Sequence, residues 1–263
     1  MHVRGLQFDI AWEDKPESQS RMDELLADSP TPPGSLIVTP ELGDVGFSRN
    51  LNNIIDEQSM EWAAATARKY SCWVQHGWAE WATDGARGLN TAGIMDPDGR
   101  LMGRYHKTYP FAFAREHEAY DSGDAIHLFD LEGTIVCPFI CYDLRFPELW
   151  RLAAQAGAEL FTIGASWPAV RTAHWQALAM ARAIENQAFV VAINRTGTDP
   201  FVPYAGGSMI VSPMCETLAR GEESSQMLSA ELDPEAARAW RADFPCLNDI
   251  KPDLLGSISI IRH

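Results

Sequence analysis

Apolar runs of strand length alternate with helical patterns from one end of the chain to the other. Val3 to Ile10 reads as a first strand, and Ser18 to Ala27 as a helix carrying Met22, Leu25 and Leu26 on one face. TPPG then breaks the chain ahead of a short apolar strand, SLIVT at 35–39, which runs directly into Pro40-Glu41. Met60 to Tyr70 is Ala-rich and helical, and 72–81 is a strand. Asn90 to Arg104 has the form of a hairpin, with apolar runs on either side of MDPDGR and its Pro-Asp-Gly turn chemistry. Residues 105–125 form an aromatic-rich, irregular loop of a length that usually has a function or is disordered. Thr134 to Ile140 is a buried strand ending at Cys141, Phe146 to Gln155 a helix, Glu159 to Ile163 a strand and Val170 to Gln187 a long helix. Strands follow at Phe189–Asn194, Ser208–Ser212 and Gln226–Leu232, and Asp233-Pro234 opens a short helix. The tail, about 244–263, is apolar in places and is expected to pack on the domain or on a second subunit. With no repeat and no long linker, the alternation predicts one α/β domain over 1–263.

Composition narrows the function classes. Hydrophobic residues make up 46% of the 263 and charged residues 22%, as in a globular protein with a substantial core. The formal charge of −15 leaves no basic stripe for phosphates, which argues against a nucleic-acid partner. No apolar run is long enough to predict a membrane span, and the first residues lack the pattern of a signal peptide. The five cysteines, at 72, 137, 141, 215 and 246, follow no disulfide framework and predict reduced thiols in the cytoplasm.

Cys141 follows the apolar strand TIVCPFI and precedes YDLRFPELWR, where Pro147 suits the first turn of a helix. A strand–turn–helix junction projects its side chain from the sheet edge, and a helix start favours the thiolate. Taken alone, Cys141 reads more readily as a small core residue than as a nucleophile, and Cys137, inside the same strand, reads as core. A thiol nucleophile needs a base and an oxyanion partner. None of the seven histidines lies in a pattern that would serve. Glu41 stands at a strand exit after Pro40, and Lys107 at another, in LMGRYHK. Either one alone would ordinarily be a solvated surface charge.

Together, TPELGDVGF, GRYHKTYPF and CYDLRFPELWR resemble the Glu–Lys–Cys motifs of the nitrilase, or carbon–nitrogen hydrolase, superfamily. SWPAVRTAHWQALAMARAIENQAFVVAINRTGTD (166–199) and YAGGSMIVSP extend the likeness over nearly the whole chain. The resemblance implies a four-layer α–β–β–α sandwich that pairs into homodimers or larger homo-oligomers. It implies that Glu41 acts as base and Cys141 as nucleophile, with Lys107 and the Tyr142 N–H holding the oxyanion. A second glutamate beside the lysine matches Glu116, with Glu118 as its rival. No metal or organic cofactor is implied. EHEAY, CYDLRFPE and SWPxxR look most like the omega-amidase-like branch, which cleaves terminal amides of small carboxylate-bearing substrates such as 2-oxoglutaramate. Arg171 is then the candidate for the substrate carboxylate, with a surface ion pair as the alternative, while Trp167 and Phe113 would wall the pocket or be plain core. Arg145 is expected to brace its turn by pairing with Glu148, for example. Ser166 stands where many relatives carry Asn, which implies an altered pocket hydrogen bond, and Cys246 is expected to pack. The alternatives are a deaminated-glutathione amidase, a carbamoylase, a nitrilase, a non-catalytic dimeric binding scaffold and a thiol redox protein. The last is disfavoured because Cys137 and Cys141 are too far apart on one strand to bridge.

Overall fold

In a computed structural model, which describes residues 1–83, 85–254 and 258–263, two seven-stranded sheets lie face to face. The first half of the chain supplies β1 (His2–Gln7), β2 (Leu36–Val38), β3 (Trp73–Trp81), β4 (Gly88–Met95), β5 (Leu101–His106) and the short β6 (Tyr120–Asp121). The second supplies β7 (Ala125–Leu131), β8 (Thr134–Ile140), β9 (Leu160–Ala165), β10 (Phe189–Asn194), a small ribbon of β11 (Thr196–Thr198) and β12 (Pro203–Ala205), β13 (Met209–Val211), β14 (Thr217–Arg220), β15 (Gln226–Glu231) and β16 (Ser259–Arg262). One sheet runs β15-β1-β2-β3-β4-β5 with β6 beside β4, and the other β14-β13-β10-β9-β8-β7-β16. Helices α1 (Lys15–Ala27) and α3 (Gln58–Tyr70) cover the first sheet, with the single turn α2 (Leu51–Ile54) between them in sequence. Helices α4 (Pro147–Gln155) and α5 (Thr172–Asn186) cover the second, and α6 (Pro234–Asp243) follows β15.

Strand periodicity builds these layers. Leu36 and Val38 of β2 point into the core between the sheets, while Ile37 packs under the helices. Likewise Phe189, Val191 and Ile193 of β10 face the other sheet, and Val190 and Ala192 face α4 and α5. Both faces of each central strand are therefore buried, which explains runs such as FVVAIN that are apolar throughout.

Several elements differ from the sequence expectation. α1 begins earlier, at Lys15, because the Asp14 side chain caps the Glu17 N–H and Pro16 occupies the first turn. The segment 105–125 holds two 3₁₀ turns and the short strand β6 between the end of β5 and the start of β7, and β7 differs from the expectation because Asp124 and His127 interrupt its apolar pattern. In the tail, β16 pairs in parallel with β7 at the sheet edge, while residues 255–257 lie outside the described residues.

At this edge His127 Nδ1 lies 2.8 Å from His263 Nε2, a bond that needs one of the two rings to offer a lone pair. Burial, together with the His263 and His106 rings, lowers His127 from 6.5 to about 4. The detached strand binds this proton more readily, so the pairing is held fully above about pH 6.5 and weakens as pH falls toward about 4. Hydrogen exchange in the 258–263 segment, corrected for intrinsic rates, should lose protection between pH 7 and about pH 4.5. Unchanged protection, or the same loss in His127→Phe, would count against this account.

Candidate active site

Three strand exits meet at one buried point. Glu41 follows β2 through Pro40, and two glycines make room for the passage of its backbone. A Cβ on Gly164 of β9 would stand 2.6 Å from the Thr39 carbonyl oxygen and 2.9 Å from the Glu41 nitrogen. One on Gly77 of β3 would stand 2.8 Å from both the Pro40 oxygen and the Leu42 nitrogen. Both are closer than real Cβ contacts allow, so the base-bearing turn sits clamped between a neighbouring strand and the facing sheet. Behind it, Thr39 Oγ1 bonds His76 Nδ1 at 2.9 Å, and Asp44 lies 3.6 Å from the other ring nitrogen, all of them buried.

Lys107 leaves β5 and places Nζ 2.7 Å from Glu41 Oε1 and 2.8 Å from Glu116 Oε2. Glu116 is wholly buried and also accepts the Phe111 N–H at 2.5 Å, whereas Glu118 is exposed and pairs with Arg115. Asn90, on β4, donates through Nδ2 to both carboxylates at 2.9 Å. Nothing in its local sequence marks it, since its role arises from the cross-strand position of β4. Burial alone would lower the Lys107 ammonium, but the Glu116 and Glu41 carboxylates outweigh it and hold the group well above its ordinary value. Glu41 Oε1 thus receives two donors, while Oε2 receives the Ser166 N–H, at 3.0 Å.

Cys141 leaves β8 in a left-handed conformation, φ 44°, which few residues other than glycine adopt without strain. The Asp143 carboxylate accepts the Ile140 N–H at 3.0 Å, the Tyr105 hydroxyl at 2.8 Å and the Tyr109 N–H at 3.0 Å. One side chain thereby ties the cysteine turn to both flanks of Lys107. Burial pushes that carboxyl up to about 7 in spite of its three donors. Burial, and next the Glu41 charge, push the Cys141 thiol well above its ordinary value, and Lys107 opposes this without prevailing. The expected thiolate at a helix start is therefore corrected. A 3₁₀ turn, Cys141–Arg145, separates the sulfur from α4, and burial favours the protonated thiol over the thiolate.

Two cavities meet at Cys141. The larger, about 300 Å³, is mostly apolar, with Phe47, Phe111 and Tyr204 among its walls and Glu41 and Lys107 at its end. Arg171 lines it, as does Arg49, which no local motif marks. The smaller, about 20 Å³, is a cleft bounded by Tyr142, Arg145, Trp167 and Arg171. Phe113 stands at the chamber mouth rather than walling its interior, with 85% of its surface exposed. Trp167 is buried, belongs to the cleft and donates its indole N–H to the Arg171 carbonyl. Arg145 does not pair with Glu148, which instead accepts the Tyr109 hydroxyl at 3.0 Å. Its guanidinium lies over the Trp167 ring at 4.7 Å and contacts His174. Among the described residues neither Arg145 nor Arg171 has a carboxylate partner. Tyr142 follows the nucleophile in the turn, its ring against Phe111 and Phe146.

The arrangement offers an acid–base pair, a fixed cation and a thiol at the end of a chamber sized for a small molecule. Comparisons with known proteins agree with such chemistry. A 2-oxoglutaramate amidase from Bacillus subtilis is 34% identical over 256 residues, covering 96% of this chain and 98% of the relative. An omega-amidase from Escherichia coli is 32% identical, covering 95% and 96% respectively. A CN-hydrolase superfamily protein from Xanthomonas campestris, crystallised with an arsenic adduct in its active site, superposes with a TM-score of 0.88 at 27% identity, covering 95% of this chain and 97% of that one. The carbon–nitrogen hydrolase model matches residues 3–242, and with these relatives over nearly its full length the chain belongs to the carbon–nitrogen hydrolase family, enzymes that cleave C–N bonds other than peptide bonds.

Proposed function

We propose that this enzyme hydrolyses the terminal amide of a small carboxylate-bearing substrate, of which 2-oxoglutaramate is the model, through a thioester on Cys141. The observation that carries this reading is Arg171, a guanidinium without a carboxylate partner among the described residues, in a mostly apolar chamber that ends at the thiol. A guanidinium binds carboxylate bidentately, and a protein of charge −15 needs such a local cation to hold an anion. Arg49 offers a second cation on the chamber wall, although it is already within 3.8 Å of Glu118. The names of the Bacillus and Escherichia relatives support the same substrate class.

In the first half-reaction the neutral Cys141 thiol gives its proton to Glu41 as sulfur attacks the amide carbon. The developing oxyanion is held by Lys107 and the Tyr142 N–H. The C–N bond breaks, the amine takes the proton from Glu41, and ammonia leaves. Glu41 Oε2 is the oxygen with an open lone pair for these transfers, because Lys107 and Asn90 occupy Oε1. Glu116 keeps Lys107 charged and aimed. In the second half-reaction water attacks the thioester and restores the thiol. Residues from this chain supply every group, and no cofactor is assigned a step. We further assign the enzyme to the cytoplasm as a homo-oligomer. Five unpaired cysteines suit a reducing compartment, and exposed Ile184 on α5 and Leu254 suit burial against another copy.

The test is ammonia release from 2-oxoglutaramate, succinamate, deaminated glutathione, simple amides, N-carbamoyl acids and nitriles, with Cys141→Ala as blank. Release from the dicarboxylic monoamides supports the reading, while release from nitriles or carbamoyl compounds alone removes the carboxylate argument and Arg171 with it. Arg171→Ala should lower kcat/KM for these monoamides about 10- to 100-fold, the loss of one charge-assisted contact. Equal kinetics would end its role as anchor. Gly164→Ala should push the Glu41 turn aside and lower kcat about 100-fold while binding changes little, as expected of a base misplaced by about 1 Å. An unaltered kcat would show that the clamp does not position Glu41.

A further inference from the structure

Ser166 has a polar group that the chemistry above does not use. Its N–H holds Glu41 Oε2 at 3.0 Å, but its hydroxyl, on a side chain only 6% exposed, has no hydrogen-bond partner among the described residues. A buried hydroxyl left unpaired is costly unless something else occupies the site. Ser166 and Cys141 are also walls of both cavities, so they mark the junction where the chamber meets the cleft. The cleft volume, about 20 Å³, is that of one water molecule, too small for an acyl chain.

We propose that the Ser166 hydroxyl is a catalytic residue of the second half-reaction, holding the hydrolytic water that enters by the narrow cleft while the acyl chain fills the chamber. This rests on the thioester reading given above. Water at the junction reaches the Ser166 hydroxyl on one side and Glu41 Oε2 on the other, because the Ser166 N–H already holds that oxygen in place. A new C–O bond forms from the water oxygen to the thioester carbon as one water proton passes to Glu41 Oε2. The tetrahedral intermediate collapses, the C–S bond breaks, and Glu41 returns the proton to sulfur. The products are the free thiol and a carboxylic acid, which ionises in solution. No oxidant or further reactant is needed. Two routes also explain how water reaches a thioester whose acyl group blocks the larger opening.

Ser166→Ala is the direct test, because removing an unpartnered hydroxyl orphans no other group and the melting temperature should not move. With 2-oxoglutaramate the variant should release its first ammonia at the wild-type rate and then stall. Rapid-quench measurement should show a burst of one ammonia per active site, with an acyl adduct on Cys141 by intact mass and kcat reduced about 10- to 100-fold. A group that merely shaped the site would slow both halves and leave no adduct. An unchanged kcat, or a slow first turnover without a burst, overturns the role of Ser166. If the wild type itself forms no ammonia from any amide, the thioester reading falls and this proposal with it. Turnover by the wild type with no effect in Ser166→Ala removes this proposal alone.

Discussion

Cys141→Ala should abolish ammonia release, by about 10⁴-fold or more, while the protein folds and melts as before. The two halves of this expectation have separate causes. Cys141 sits at 8% exposure among large core neighbours, and alanine removes one sulfur at the chamber end, where the gap opens into existing space rather than the packed interior. The left-handed backbone at φ 44° costs alanine about what it costs cysteine, so strain does not change. Activity fails because the acyl group then has no thiol on which to form the thioester. Cys141→Ser should be nearly as inactive, since Glu41 must then take a proton from a far weaker acid. Ammonia release measured beside thermal melting and intact mass checks both halves. Turnover above a tenth of wild type in a folded Cys141→Ala protein would remove the cysteine from the mechanism.

Lys107→Met should damage both activity and stability. The ammonium lies between two buried carboxylates at 2.7 and 2.8 Å, and methionine fills its volume without its charge. Two carboxylates would remain in one water-poor site, with only Asn90 and backbone N–H groups to oppose them. Breaking a buried charge pair on one side costs about 3–5 kcal/mol, equivalent to about 6–20 °C in melting temperature for a chain of this size. The Lys107→Met/Glu116→Gln pair should recover part of that stability and none of the activity. Calorimetry on both variants distinguishes the outcomes: equal melting temperatures in wild type and Lys107→Met would mean that the triad stores no such charge imbalance.

The parts of this site that were legible in the sequence are those fixed by local chain geometry. Glu41, Lys107 and Cys141 each lie just past the end of a strand, Glu41 and Lys107 in one sheet and Cys141 in the other, and the face-to-face packing of the sheets brings the three exits together. Continuous apolar runs likewise marked β2 and β10 as strands, and the structure shows both of them buried on both faces. What escaped depends on juxtaposition. Asn90 matters because β4 lies beside β5, and Arg49 because the loop after Glu41 turns toward Arg171; neither leaves a local signal. Gly77 and Gly164 reside in strands where glycine would read as a weakness, and only the passage of Pro40-Glu41 between them supplies a reason. Arg145 misled because Glu148 lies close in sequence, yet the intervening turn sends the guanidinium to Trp167.

The burial that holds the Cys141 thiol well above its ordinary value has a further effect outside turnover. Peroxide and alkylating reagents attack thiolates, so a nucleophile that keeps its proton until substrate arrives is chemically quiet in between. Oxidation to the sulfenic acid should therefore be slow in the idle enzyme. The exposed interval is confined to the moment when Glu41 holds the proton, and an amide bound in the chamber then occupies the space an oxidant would need.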